Sequence, residues 1–188
     1  SDGKIRAFRV DNNAQLWQID NAHKNGVTCI ALSHNHKFIV SGGAEGEIRV
    51  WEIRSRELIA HLKEHTSKVT GILVFNDDTH LLSCSRDKSI LCWDMKSQKR
   101  ISNQTLRMGG INSIALNPLD QNKYLSVGQD RKVTFWDIRK SQAEGTVESS
   151  PVHGESEELF AVSIQPSGKI FATGGQNGVV RIYDLASG

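Results

Sequence analysis

Apolar residues along this chain fall in short runs, and the 3.6-residue period of a helix is nowhere sustained. Val27 to Leu32, Phe38 to Ser41, Glu47 to Trp51 and Leu58 to Leu62 are rich in β-branched residues, so they predict four successive strands. Turn residues separate such runs. Asn76-Asp77-Asp78, Asn117-Pro118 and Pro166-Ser167-Gly168 each fall between a first and a second strand, where Asp and Asn bond nearby backbone and Pro presets φ.

The group of four strands repeats. Aligning on the aromatic that follows an Ile or Val strand gives Ile5-Arg6-Ala7-Phe8, Ile48-Arg49-Val50-Trp51, Ile90-Leu91-Cys92-Trp93, Val133-Thr134-Phe135-Trp136 and Val180-Arg181-Ile182-Tyr183. The steps between aromatics are 43, 42, 43 and 47 residues. Six residues before each aromatic stands Asp2, Glu45, Asp87, Asp130 or Asn177, and four before that stands Ser41, Ser83, Ser126 or Thr173. With His65 upstream, Ser83 and Asp87 have the makings of a catalytic triad. A triad needs one activated nucleophile, however, whereas a group that returns in each unit serves something every unit needs.

A period of 40 to 45 residues built of four short strands resembles the WD40 repeat family. The resemblance implies an all-β propeller whose blades carry a buried Asp, His, Ser and Trp network. The Asp would lie in the turn between strands b and c, the His in the loop leading into strand a, and the Ser and Trp on the inner strands. His65, Ser83, Asp87 and Trp93 supply all four in the second full unit. The first has His23, Ser41 and Trp51 with Glu45 in place of Asp. The third has Ser126, Asp130 and Trp136, with Arg107 where the register places His. The last holds Thr173, Asn177 and Tyr183 in weakened form, with His153 two residues too early.

On this alignment one propeller domain accounts for the whole chain. Residues 1–21 end one blade with strands c and d; 22–62, 63–105 and 106–151 are full blades; 152–188 supply strands a to c of a last one. A polar, Glu-rich loop over 140–158 surrounds a weak outer strand, Gly145 to Val147. The total is about four and a half blades. WD40 rings usually have seven, and fewer than about four do not close, so the expectation is a segment of a longer ring. Four-bladed closure and edge-to-edge pairing of two copies are the alternatives.

Composition narrows the chemistry. With 38% hydrophobic and 23% charged residues the chain is an ordinary folded protein, and no apolar run approaches the roughly 18 residues needed to span a bilayer. No leader pattern opens it, so a cytoplasmic location without membrane attachment is expected. A formal net charge of +2 is too small to imply a nucleic-acid partner. Cys29, Cys84 and Cys92 lie in apolar runs without CxxC spacing and read as buried thiols. His34-Asn35-His36 has no third ligand at suitable spacing, and Gly42-Gly43 and Gly174-Gly175 lack the Lys and Ser/Thr of a phosphate loop. No catalytic residue, metal or cofactor is expected.

Recognition of other proteins is what the resemblance implies, through strand b to c turns and the loops leading into each blade. Arg86, Lys88, Gln129, Arg131, Lys132 and Gln176 occupy those turns and are the candidate contact residues. On the opposite face Trp51-Glu52-Ile53-Arg54 and Trp136-Asp137-Ile138-Arg139 resemble the W-D-x-R box of WD40 substrate receptors for cullin-4 ubiquitin ligases, which would place Arg54 and Arg139 against an adaptor. Longer phrases point elsewhere. S-D-G-K-I-R-A-F (1–8), N-A-H-K-N-G-V-T (21–28), S-G-G-A-E-G-E-I-R-V-W (41–51), L-K-E-H (62–65) and D-R-K-V-T-F-W (130–136) resemble the carboxy-terminal propeller of the cilia- and flagella-associated WD-repeat proteins inside axonemal doublet microtubules. That similarity implies a non-enzymatic scaffold in the axoneme, with tubulin and neighbouring axonemal proteins as partners.

Overall fold

In the computed structural model, residues 2–148 and 157–186 are described, and among them there are strands and turns but no helix. β1 (Ile5–Phe8) and β2 (Gln15–Ile19) form a hairpin. Blade 1 is β3 (Val27–Leu32), β4 (Phe38–Gly43), β5 (Glu47–Glu52) and β6 (Leu58–Lys63). Blade 2 is β7 (Val69–Val74), β8 (His80–Ser85), β9 (Ser89–Asp94) and β10 (Lys99–Thr105). Blade 3 is β11 (Ile111–Leu116), β12 (Lys123–Gly128), β13 (Lys132–Asp137) and β14 (Gly145–Glu148). Blade 4 is β15 (Leu159–Ile164), β16 (Ile170–Gly175) and β17 (Val180–Asp184). Every sheet is an antiparallel meander in chain order, and the array does not close on itself among the described residues.

Successive side chains on a strand point to opposite faces, and here both faces of a blade are covered. Leu81, Leu91 and Trp93 pack with Val40, Val50 and Leu62 of blade 1. Their neighbours Leu82, Ile90 and Cys92 pack instead with Ile114, Tyr124 and Trp136 of blade 3. This is why β8 and β9 read as nearly unbroken apolar runs. Two further seams complete the stack: Ile5 and Ile19 of the hairpin meet Ile39 and Trp51, and Leu125 and Val133 of blade 3 meet Leu159 and Phe171. Where no neighbour covers a face, apolar residues are left open: Ile30 and Leu32 on β3 are 52% and 58% exposed, and Val180 and Ile182 on β17 are 72% and 69% exposed.

The first strand of each blade carries the joint to the next. Its register slips at the second residue, between Val27 and Cys29, Val69 and Gly71, Ile111 and Ser113, and Leu159 and Ala161. Such a bulge re-aims the extra side chain. Thr28 Oγ1 therefore donates to Val69 O at 2.5 Å, Thr70 Oγ1 to Ile111 O at 2.7 Å, and Asn112 Nδ2 to Leu159 O at 2.7 Å, each a bond from one blade to the following one. Phe160 fills the same place in blade 4 and offers no donor. At the far end of the strands a second set of joints links the a-to-b turns: the amides of His34 and Asn35 donate to Asp78 at 2.7 and 2.8 Å, and that of Asn76 to Gln121 Oε1 at 2.8 Å.

Thr70→Val keeps the shape of the bulged side chain and removes only its hydroxyl. It is expected to lower unfolding stability by about 1 kcal/mol in denaturant titrations, with the same change at exposed Thr66, whose hydroxyl makes no such joint, as the near-neutral control.

Candidate functional site

The polar chain of blade 2 runs through the seam with blade 1. Trp93 Nε1 donates to Ser83 Oγ at 2.8 Å, Ser83 Oγ lies 2.8 Å from His65 Nε2, and His65 Nδ1 lies 2.9 Å from Asp87 Oδ2. One direction of donation satisfies all of them. With neutral imidazole, Ser83 donates to Nε2 and Nδ1–H donates to the carboxylate. Asp87 also accepts the amides of Thr66 and Ser89, each at 2.9 Å. Burial by itself would raise the Asp87 carboxyl; hydrogen bonds from His65 and Ser89 outweigh it and hold the group well below the usual carboxylate range. Ser83 is completely buried, with its hydroxyl occupied on both sides.

In blade 1 half of this arrangement survives. Trp51 Nε1 donates to Ser41 Oγ at 2.9 Å, and Ser41 lies 2.8 Å from His23 Nε2. Glu45 does not join it. Its longer side chain turns outward to accept from Asn25 Nδ2, so His23 Nδ1 is buried without a hydrogen bond. The nearest carboxylate is Glu47, at 4.0 Å, itself bound by Arg49 at 2.9 Å. Burial, then the Arg49 charge, push the His23 imidazole below its ordinary value. Arg49 also donates to Ala22 O at 2.8 Å, stitching β5 to the loop that leads into β3.

Blade 3 keeps only the inner pair, Trp136 Nε1 to Ser126 Oγ at 2.8 Å. Arg107 is exposed and reaches neither Ser126 nor Asp130. Asp130 is left with the amide of Lys132 at 3.4 Å, and burial pushes its carboxyl up. Tyr124 stacks on Trp136 with centroids 6.2 Å apart and donates to Gln104 Oε1, whose amide nitrogen in turn donates to Asp137 O at 2.9 Å.

In blade 4 the expected residues do not bond to one another. Thr173 Oγ1 and the Tyr183 hydroxyl are buried without partners, and Tyr183 stacks instead on Phe171 at 4.9 Å. Asn177 is exposed and contributes only its amide, to Glu157 Oε2 at 2.7 Å. Glu157, buried, forms an ion pair with Arg181, so a carboxylate and a guanidinium fill the space that imidazole and carboxylate fill in blade 2. A signal for this existed in the sequence, since Arg181 stands two residues before Tyr183 as Arg49 stands before Trp51. His153 lies outside the described residues.

The candidate contact residues line the b-to-c turns. Arg86 Nη1 lies 3.4 Å from Glu158 Oε1, Lys132 Nζ lies 3.0 Å from Glu148 Oε1, and Lys88, Gln129, Arg131 and Gln176 are exposed. On the other face Arg54 is exposed, whereas Arg139 Nε donates to its own Asp137 at 2.8 Å and Nη2 reaches the second oxygen. That pairing holds the Asp137 carboxyl well below the usual range. Cys29, Cys84 and Cys92 are free thiols raised by burial to about 11, 12 and 11. A cleft of about 310 Å³ opens between blades 3 and 4, and its charged lining residues, Lys123 and Glu144, pair with each other at 3.6 Å. Among the described residues no three His, Cys, Asp or Glu side chains are grouped to hold a metal.

Stacked four-stranded meanders, fastened along their first strands and carrying an indole-to-serine bond in three blades, define a WD40-type propeller. Comparison with known proteins agrees. A family model described as Vps8 beta-propeller matches residues 1–115, and one described as WD domain, G-beta repeat matches residues 146–184. The chain belongs to the WD40 β-propeller family. It is similar to Cilia- and flagella-associated protein 52 of Homo sapiens and of Chlamydomonas reinhardtii, 32% identical to each over 190 residues that cover 100% of this chain and 30% of either relative. It is also 28% identical to Transducin beta-like protein 3 of Rattus norvegicus, over 97% of this chain and 23% of that protein. The chain thus spans about 30% of the length of the first two relatives.

The two aspartates at equivalent turns predict opposite responses. Asp87 has a depressed proton affinity, so its contribution to stability is present above about pH 4 and is lost as pH falls through and below that value. Asp130 is raised, so ionisation there costs stability that returns as the medium is acidified. Asp87→Asn is expected to destabilise by about 1–3 kcal/mol at neutral pH, and Asp130→Asn to be neutral or stabilising, in thermal melts at pH 7. Asn177→Ala should leave the melting temperature nearly unchanged.

Proposed function

We propose that this chain is part of a non-enzymatic protein-interaction scaffold of cilia and flagella, a component of the axoneme bound to the inner wall of doublet microtubules. The observation that carries the proposal is similarity along the whole chain to proteins named cilia- and flagella-associated, from an alga and a mammal alike. The architecture supports it. Stacked blades, the first three of them joined at both strand ends, form a stiff support, and the exposed b-to-c turns offer a surface for other proteins. Ser83, bonded to a histidine that in turn bonds a carboxylate, is buried beyond reach of a substrate. Tubulin and adjoining axonemal proteins are the partners this placement implies. The ligase-adaptor alternative is less well supported, because Arg139 commits its guanidinium to Asp137.

The full-length tagged protein expressed in a ciliated cell is expected to enter the axoneme and to stay with doublet microtubules through detergent and high-salt extraction. Recovery solely from the cell body, together with capture of the cullin-4 adaptor that Arg139→Ala abolishes, would replace this proposal with the ligase one.

A further inference from the structure

The turns that present the candidate contact residues share one backbone shape. The residue after the acidic position is left-handed in each: Gly3 (φ 67°), Gly46 (φ 86°), Lys88 (φ 74°), Arg131 (φ 65°) and Gly178 (φ 72°). Glycine adopts this shape without steric penalty, whereas a residue with a Cβ does so at a cost. Space decides where a side chain is admitted. A Cβ on Gly3 would stand 2.1 Å from the carbonyl oxygen of His23, and one on Gly46 2.2 Å from that of His65. A turn facing a buried histidine of the next blade must therefore be glycine. Blade 3 has no such histidine, and the turn of blade 2 beside it carries Lys88; the turn of blade 3 repeats the exchange with Arg131.

Lys88 and Arg131 stand beside Arg86 and Lys132 in sequence, on the b-to-c turns of neighbouring blades. Arg86 lies against Gly110, where an added Cβ would come within 2.9 Å of both its Cα and its Cδ. Gly110 in turn donates its amide to Gln129 Oε1 at 2.8 Å, so the turn of blade 2 leads directly to the turn of blade 3. Arg107, in the loop between blades 2 and 3, is exposed. Carboxylates already sit on these turns. Glu158 Oε1 accepts from Asn112 at 2.9 Å beside Arg86, and Glu148 lies on Lys132. Both glutamates are solvent-accessible, at 27% and 77%, and so can be displaced.

We propose that the band formed by Arg86, Lys88, Arg131 and Lys132 docks a Glu/Asp-rich peptide segment of a partner protein, with Glu158 and Glu148 as internal occupants that the partner displaces. The proposal rests on the scaffold role and names the chemistry of what is held. A nucleic acid fits less well, because the band spans two turns and is interrupted by Asp130, while counterion-driven binding needs many phosphates in succession.

The test uses the full-length protein, a fluorescent peptide of alternating Glu and Gly, a Ser/Gly peptide and a single-stranded RNA of equal charge, read by anisotropy against salt. Lys88→Gly with Arg131→Gly restores the residue that three sister turns already carry, so the fold is kept, and a thermal melt of the variant checks this. That variant is expected to bind the Glu/Gly peptide about tenfold more weakly, and Glu158→Gln to bind it several-fold more tightly. Equal affinity of the double variant, or no wild-type preference over Ser/Gly, overturns the proposal. RNA bound as tightly as the peptide overturns it in favour of a non-selective cationic surface. Axonemal retention is read separately, so either result stands whether or not the ciliary placement holds.

Discussion

The structure depends on one constraint: a four-stranded blade with apolar residues on both faces is stable only between two neighbours. The strands β7, β8 and β9 of blade 2 divide their side chains between two seams, so the blade has no core of its own. Stability is then a sum of seam terms between adjacent sheets rather than a property of any single one. The bulge near the start of each first strand follows from the same demand. In blades 1 to 3 it turns one polar side chain out of its own ladder and into the next blade, where it fixes the separation and register of sheets that share no strand pairing. Apolar contact holds the blades together, and the Thr28, Thr70 and Asn112 bonds determine how they align.

Against this background the Asp, His, Ser and Trp chain has a local task. It ties the b-to-c turn and the loop before strand a to the inner strands, closing the end of the seam where backbone would otherwise be loose. Only blade 2 does so with the complete set. Blade 1 loses the carboxylate and braces the same loop with Arg49, blade 3 keeps the indole-to-serine bond and lets Gln129 hold the loop, and blade 4 substitutes the Glu157–Arg181 pair. Four solutions to one mechanical problem show that the position, not the particular residues, is what the fold requires.

Strand positions and their grouping into blades were legible because they depend on local spacing, which a period of about 43 residues repeats for the eye. The Ser–Trp bonds were legible for the same reason, since both partners lie on paired strands at fixed offset. What escaped depends on side-chain reach. Glu45 occupies the aspartate position, yet one extra methylene carries its carboxylate to Asn25 instead of His23. Glu157 sits past an irregular step of 47 residues, where counting back from Tyr183 no longer finds the loop. The bulge donors could not be read from pattern alone, because Thr28 and Thr70 look like ordinary strand residues until the register slip is seen.

Two of the three thiols acquire an unplanned use from where they lie. Cys29 packs into the junction of blades 1 and 2, while Cys84 and Cys92 pack into that of blades 2 and 3. Cys84 and Cys92 are buried and poor nucleophiles while covered, so their alkylation proceeds only when the junction of blades 2 and 3 parts, whereas Cys29 is half-buried. The molecule thereby contains reporters of the parting of blades 2 and 3, without any label having been added.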